Sequence, residues 1–387
     1  MTAVLSQWTF PFCPDRPSWE IDWDGLMGNF DWLQNLEGCP QNPLYHAEGD
    51  VLTHTRMVVE ALVKLPDWRS LPLIERSILF AAALLHDVAK PASTKEDEEG
   101  QITSRGHVRL GSKMARQILW SLPEPAPFNY REQVVALIRH GGLPIWFLEK
   151  PNPQRAIIKA SLESRCDRIA LLAEADLRGR LCSDRQELLD RIELFRDFCQ
   201  ENNCLDKPWQ FPSAHSRFLY FRVPWQNQAT GDRSPSYEAF DDTQCEVVLM
   251  SGLPASGKNR WIRENLPDWP VISLDALRLE MKVAPDKNQG IVVDRAKEIA
   301  REYLRQNRSF VWNATNISRS LRSSLIDLFA AYRARIRIVY LEAPLPELLR
   351  RNRQRTAPIP EAAIRKLAQK LEVPNITEAH QVDWIVG

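Results

Sequence analysis

Apolar residues recur at three- and four-residue spacing through VLTHTRMVVEALVKL, IERSILFAAALLHDVAK, REQVVALIRH and RQELLDRIELFRDF. That is the period of helices burying one face. The stretch from Leu52 to Cys204 is therefore expected to be all helical, with loops at STKEDEEGQ and SLPEPAPFNY, where charge, Pro and turn residues crowd together. After Cys204 the period stops. Residues 206–244, rich in Pro, aromatics, Ser and Asp, read as a connector with a short strand at Arg217 to Arg222. Beyond it the β-rich runs CEVVLMSG, VISLD, SFVWNAT and RIRIVYLE each lead into a helical stretch, the alternation of a parallel sheet wrapped by helices. The pattern predicts a multidomain chain: an all-α bundle over 1–205, the connector over 206–244 and an α/β domain over 245–387.

Composition narrows this without redirecting it. At 387 residues, with 44% hydrophobic and 26% charged positions, the chain can fill two or three cores, which excludes a disordered or fibrous protein. Lys plus Arg and Asp plus Glu both number 50, so a nucleic-acid partner would have to be held by local clusters rather than a global basic field. The seven cysteines never form CxxC pairs, which argues against a disulfide framework or a zinc knuckle and for a reducing cytoplasm. The opening MTAVLSQWTFPFCPDRPSWE has no basic n-region before an apolar core, and no uncharged apolar run approaches the length of a membrane span. A cytoplasmic protein with no membrane partner is expected.

The strand CEVVLMSG runs directly into GLPASGKN, Gly252 to Asn259, a GxxxxGK loop between strand and helix. Glycines let such a backbone turn its N–H groups onto phosphate oxygens while the lysine reaches the β and γ phosphates. Gly252, Ser256, Gly257, Lys258 and Asn259 form the candidate nucleotide site. Asn259 stands where Ser or Thr normally holds Mg²⁺. Asp275 falls at the C-terminal edge of the second strand, with Arg278 one helical turn on. A carboxylate there can take a proton from an attacking hydroxyl and the arginine can fork onto a phosphate; a plain helix cap is the alternative for Asp275.

In the helical half, His86 and Asp87 end an apolar helix, an expensive polar insertion unless a metal or hydrogen bonds offset it. His54, His107, His140 and Asp176 each fall on or beside a predicted helix and complete a candidate metal set. His46 competes with His54 for the first position; His54 shares the stripe of the apolar residues that follow. His107 and His140 taken singly also suit core or capping histidines. Imidazole with carboxylate suits Mn²⁺, Ni²⁺, Co²⁺, Zn²⁺ or Fe²⁺. Lys90 and Arg180 are candidate phosphate-binding cations, with surface cations as the alternative.

The order His, His-Asp, two further His, then Asp resembles the HD phosphohydrolase superfamily, a helical bundle gathering such groups around one or two divalent metals. The stretch HAEGDVLTHT resembles the HD module attached to some tRNA nucleotidyltransferases. GLPASGKN, the pair Asp275 and Arg278, and the cluster LLRRNRQRTAPIP resemble the P-loop polynucleotide kinases. The resemblance implies Asp275 as general base, Arg278 as clamp on the acceptor phosphate, and Arg351 and Arg355, with Arg353 on an adjacent face, as a lid over the donor phosphates. The fusion resembles bacterial end-healing enzymes, which implies ATP or another NTP with Mg²⁺, a transition metal in the helical domain, RNA or DNA ends as substrates and work alongside a ligase. A nucleoside or sugar kinase joined to a nucleotidase, and a nucleotide-regulated binding module, remain the other readings.

Overall fold

The structure is a computed structural model describing residues 8–222, 234–284, 289–355 and 357–387. The chain divides into two units, Met1–Trp209 and Gln210–Gly387. Residues 223–233 of the expected connector lie outside the described residues.

The first unit is helical. The Val51–Lys64 helix begins where the Asp50 carboxylate accepts the Thr53 N–H at 2.8 Å, and it buries Leu52, His54, Thr55, Val58, Val59 and Leu62 along one face. That face packs on the Leu73–Leu85 and Cys166–Arg178 helices. Leu73–Leu85 is buried on every side from Ile78 onward, which makes it the central helix. Gly179 ends the Cys166–Arg178 helix so close to its neighbour that a Cβ there would sit 2.6 Å from the Val58 nitrogen; only glycine allows this approach. The expected loop around STKEDEEGQ instead contains a small antiparallel hairpin, Lys95–Glu96 against Ile102–Thr103, whose turn at Gly100 takes a positive φ of 76°.

The second unit is a five-stranded, all-parallel sheet in the order Val271–Ser273, Phe310–Asn313, Cys245–Ser251, Ala334–Glu342, Gln381–Val386, with helices packed against it. The first strand in sequence is central, so the connections leave it to one side and then cross to the other. That reversal opens a crevice at the carboxyl ends of the strands, where doubly wound sheets bind ligands. The Gln381–Val386 strand adds an edge that the patterning did not mark.

The strand expected at Arg217 to Arg222 is a helix, Ala214–Arg222, and it belongs to the second unit. Its aromatic run favours a strand by residue type, yet tertiary contacts decide. Ser213 Oγ accepts the Ser216 N–H at 3.0 Å, Phe218 stacks on His380 at 4.0 Å, and Arg217 donates to the His380 carbonyl. His215 Nδ1 lies 3.1 Å from His380 Nε2 in the same buried layer.

Candidate active sites

In the helical unit the Val51–Lys64 helix contributes His54, the end of Leu73–Leu85 contributes His86 and Asp87, and Cys166–Arg178 contributes Asp176. His54 Nε2 lies 3.1 Å from Asp176 Oδ1 and 3.3 Å from His86 Nε2; His86 Nε2 lies 3.2 Å from Asp87 Oδ2. His107, the first residue of the His107–Trp120 helix, brings its Nε2 to 3.6 Å from Asp87 Oδ1.

Each imidazole is oriented from its other nitrogen. His86 Nδ1 lies 2.7 Å from the Ala83 carbonyl and His107 Nδ1 lies 2.7 Å from the Ser104 carbonyl. A carbonyl only accepts, so Nδ1 carries the proton in both and Nε2 keeps its lone pair for the cluster. His54 Nδ1 faces Glu48 Oε1 at 2.8 Å. Two lone-pair nitrogens, the His54 ring and two carboxylates, converging from anchored positions, fit a divalent transition metal. His54, His86 and Asp176 together, and His46, Glu48 and His54 together, each place three donor atoms within 4.8 Å of one another.

The electrostatics agree with ionised carboxylates. Burial alone would raise Asp87, but His86 and Lys90 outweigh it and hold its carboxyl well below the ordinary range. Asp176 is likewise depressed, burial being outweighed by Arg180 and His54. Burial pushes His54 toward neutrality, and Asp176 and Glu48 reverse this, raising it.

Lys90 and Arg180 are not free surface cations. Lys90 is buried, with Nζ 2.7 Å from Asp87 Oδ2 and bonded to Gln41; Arg180 grips both oxygens of Asp176. Each reaches the cluster through one of its carboxylates. His46 stands beside His54, its Nδ1 2.8 Å from Glu48 Oε1. His140 pairs elsewhere, with Nε2 3.2 Å from Glu163; the structure gives it no contact with Asp87 or Asp176. Sequence reasoning passed over Glu48, which faces His46 and His54 with one oxygen and accepts the Leu181 N–H at 2.9 Å with the other. Its only signal was its place between two histidines.

In the second unit the central strand is followed at once by Gly252, whose φ is +143° and whose Cβ would stand 2.4 Å from the Leu341 carbonyl. No other residue fits there. Gly257, in the left-handed region, caps the Lys258–Asn265 helix, and Lys258 Nζ donates to the Gly252 and Leu253 carbonyls at 2.8 Å each. Burial pulls the Lys258 ammonium down to about 8; Asp275 opposes this and Arg355 adds to it. Ser256 Oγ lies 3.4 Å from Lys258 Nζ, and Asn259 Oδ1 accepts from Asn313 Nδ2 at 2.8 Å, which ties the helix start to the end of the Phe310–Asn313 strand.

The Leu274–Glu280 helix is capped by Ser273, whose hydroxyl accepts the Ala276 N–H. Asp275 is thereby released from the capping role. Its side chain is 75% exposed and pairs with Arg278 at 2.6 Å. Both line a cleft of about 560 Å³ together with Lys258, Asn259, Arg351 and Arg355. Arg351 is held by Glu347 and Arg353 turns to Glu361, whereas Arg355 makes no ion pair with any described residue. One cleft thus joins a phosphate loop, an exposed carboxylate and a ring of arginines, the parts needed to move a phosphoryl group onto a hydroxyl.

Comparison with known proteins places residues 51–165 in the HD domain family and residues 247–374 in an AAA domain family. The chain is 25% identical over 135 residues to the L-seryl-tRNA(Sec) kinase of Methanococcus maripaludis, covering 33% of this chain and 53% of that protein. It is 30% identical over 174 residues to the multifunctional CCA protein of Ralstonia nicotianae, covering 42% of this chain and 36% of that protein. To the corresponding protein of Cupriavidus metallidurans it is 32% identical over 159 residues, 38% of this chain and 34% of that one. The chain spans about half the length of these relatives or less. It joins an HD domain to an AAA-type, P-loop kinase-like domain in one polypeptide.

Proposed function

We propose that the chain heals broken nucleic-acid ends, with the second unit phosphorylating 5′-hydroxyls and the first removing 2′,3′-cyclic, 2′- or 3′-phosphates. The observation that carries the reading is the solvent-exposed Asp275 carboxylate, held by Arg278 on the wall of the phosphate-loop cleft. A 5′-hydroxyl entering there loses its proton to Asp275 as its oxygen attacks the γ phosphorus of ATP or another NTP and ADP or the corresponding diphosphate leaves. Lys258, Arg351 and Arg355 balance charge on the transferred group, and Mg²⁺ accompanies the nucleotide. Arg278 orients the acceptor through its 3′-side phosphate. The likeness to a kinase named for a seryl-tRNA supports an RNA-borne hydroxyl as acceptor.

In the first unit, His54, His86, Asp87, His107 and Asp176 would hold the metal, which when bound supplies Lewis acidity to a phosphate ester and to water. Lys90 and Arg180 keep Asp87 and Asp176 ionised and aimed, and Glu48 fixes the His54 ring. Healed ends would pass to a ligase.

The test incubates wild type, Asp275→Ala and Asp87→Ala with an RNA oligonucleotide bearing 5′-hydroxyl and 2′,3′-cyclic phosphate ends, plus ATP, Mg²⁺ and Mn²⁺. The first variant is expected to lose only 5′ phosphorylation and the second only 3′ healing. Wild type that ignores the oligonucleotide but phosphorylates or dephosphorylates free nucleosides would sink the end-healing reading.

A further inference from the structure

The seven cysteines look scattered along the sequence, yet the fold gathers three of them. Cys166 is the first residue of the Cys166–Arg178 helix, Cys199 lies in the last turn of Arg185–Glu201, and Cys204 follows the turn that ends it. Asn203, with a φ of +52°, reverses the chain there; the Cys204 N–H donates to the Cys199 carbonyl at 2.9 Å, and the Asp167 N–H donates to the Leu205 carbonyl at 3.0 Å. The returning segment is thus stitched onto the start of the helix that carries Cys166. All three side chains are fully buried, and their sulfurs lie within 4.8 Å of one another. The remaining four thiols, Cys13, Cys39, Cys182 and Cys245, do not join them.

Three sulfurs on one ion at about 2.3 Å each stand about 4 Å apart, a spacing within the limit seen here. One feature of the surroundings favours anionic sulfur. Cys166 opens a 13-residue helix, whose N-terminal dipole favours a thiolate. Among the described residues no carboxylate or imidazole shares the cluster, so the donor set is all sulfur and selects soft ions over the harder ones that histidine and aspartate accept.

We propose that Cys166, Cys199 and Cys204 form a three-thiolate site for a soft divalent ion of the Zn²⁺ class, separate from the His/Asp cluster and serving to lock the end of the Arg185–Glu201 helix to the start of Cys166–Arg178. Binding releases the three thiol protons to solvent, with no change in oxidation state. Three thiolates on a dication leave one negative charge, facing the helix N-terminus.

The experiment titrates Cd²⁺, as probe, into reduced, chelator-treated full-length protein and follows thiolate-to-metal charge-transfer absorption, which histidine and carboxylate ligands do not give. The expected result is a band saturating at one equivalent, lost in Cys199→Ser and Cys204→Ser, and kept in Cys13→Ser and Cys182→Ser. Should a serine variant fail to fold, wild type alone decides: X-ray absorption at the cadmium edge of the one-equivalent form is expected to show a shell of sulfur neighbours, which the His/Asp cluster cannot supply. Absence of the band with excess Cd²⁺, or a cadmium shell without sulfur, overturns the site and leaves the trio as packing.

Discussion

Asp275 and Arg278 form a 2.6 Å ion pair across one turn of the Leu274–Glu280 helix, and Ser273 rather than Asp275 caps that helix. Capping would have tied the carboxylate to a backbone N–H. Because a serine does that work, the carboxylate stands in solvent on the cleft wall, where proton transfer is possible.

Removing the carboxylate should therefore cost catalysis and not folding. Asp275→Asn is expected to lower the kinase turnover roughly 10²- to 10⁴-fold, the range for a positioned general base, with an unchanged melting temperature. Arg278→Ala should instead raise the KM for a 5′-hydroxyl oligonucleotide more than it lowers kcat. Steady-state kinetics on the two variants would read the split, and equal losses in kcat and KM from both would contradict the assigned roles.

Lys258 gives the kinase cleft a pH signature. Its ammonium titrates near 8 instead of 10.5 because it is buried, with Arg355 adding to the shift and Asp275 opposing it. Above about 8 the lysine is neutral without nucleotide, and phosphate binding must draw its proton back. ATP affinity should then fall about tenfold per pH unit above 8, and binding at pH 9 should take up close to one proton. Calorimetry in two buffers of different ionisation enthalpy measures that uptake; none at pH 9 would count against the shift.

Glu48 supports the histidine cluster from behind. With Glu48→Gln the His54 ring loses the carboxylate 2.8 Å from its Nδ1. Loss of such a partner typically weakens metal affinity or activity roughly 10- to 100-fold. Metal binding and phosphatase activity should fall by that order while 5′ phosphorylation is untouched, and wild-type metal affinity in the variant would make Glu48 a bystander.

Legibility followed locality. The phosphate loop and the Asp275–Arg278 turn are contiguous in sequence, so their geometry comes with their spacing. The His/Asp cluster is assembled from four helices, and residue type alone marked its members. The pairing of His140 with Glu163, and the facing of Glu48 onto His54, depend on where the turns carrying the two glutamates come to rest against the helices, and local sequence does not encode that. The Ala214–Arg222 helix was misread as a strand because aromatic residues carry both preferences and only the contact with His380 decides between them. The cysteine trio was invisible for the same reason: its spacing resembles no metal motif until the turn at Asn203 folds back.

The helical unit should also show a specific acid weakness. Glu132 bridges two buried guanidiniums, Arg116 at 2.7 Å and Arg131 at 2.9 Å, while Arg131 lies over the Trp120 and Phe128 rings. Burial would raise the Glu132 carboxyl, but Arg116 and then Arg131 outweigh it and bring it from 4.5 to about 2. A carboxyl depressed in the folded state adds stability above its unfolded value and loses it as pH falls toward the folded one. The window is therefore pH 4.5 down to about 2, and the contribution is on the order of 3 kcal/mol. Glu132→Gln would remove the Glu132 charge from both arginines, so at pH 7 it should destabilise the helical unit by about that amount. Below pH 4.5 the wild type loses the same interaction by protonation, and the gap between the proteins should close. Urea unfolding of both at pH 7, 4 and 3 checks this: a gap constant with pH would mean that the variant disturbs packing and that Glu132 holds no special charge interaction.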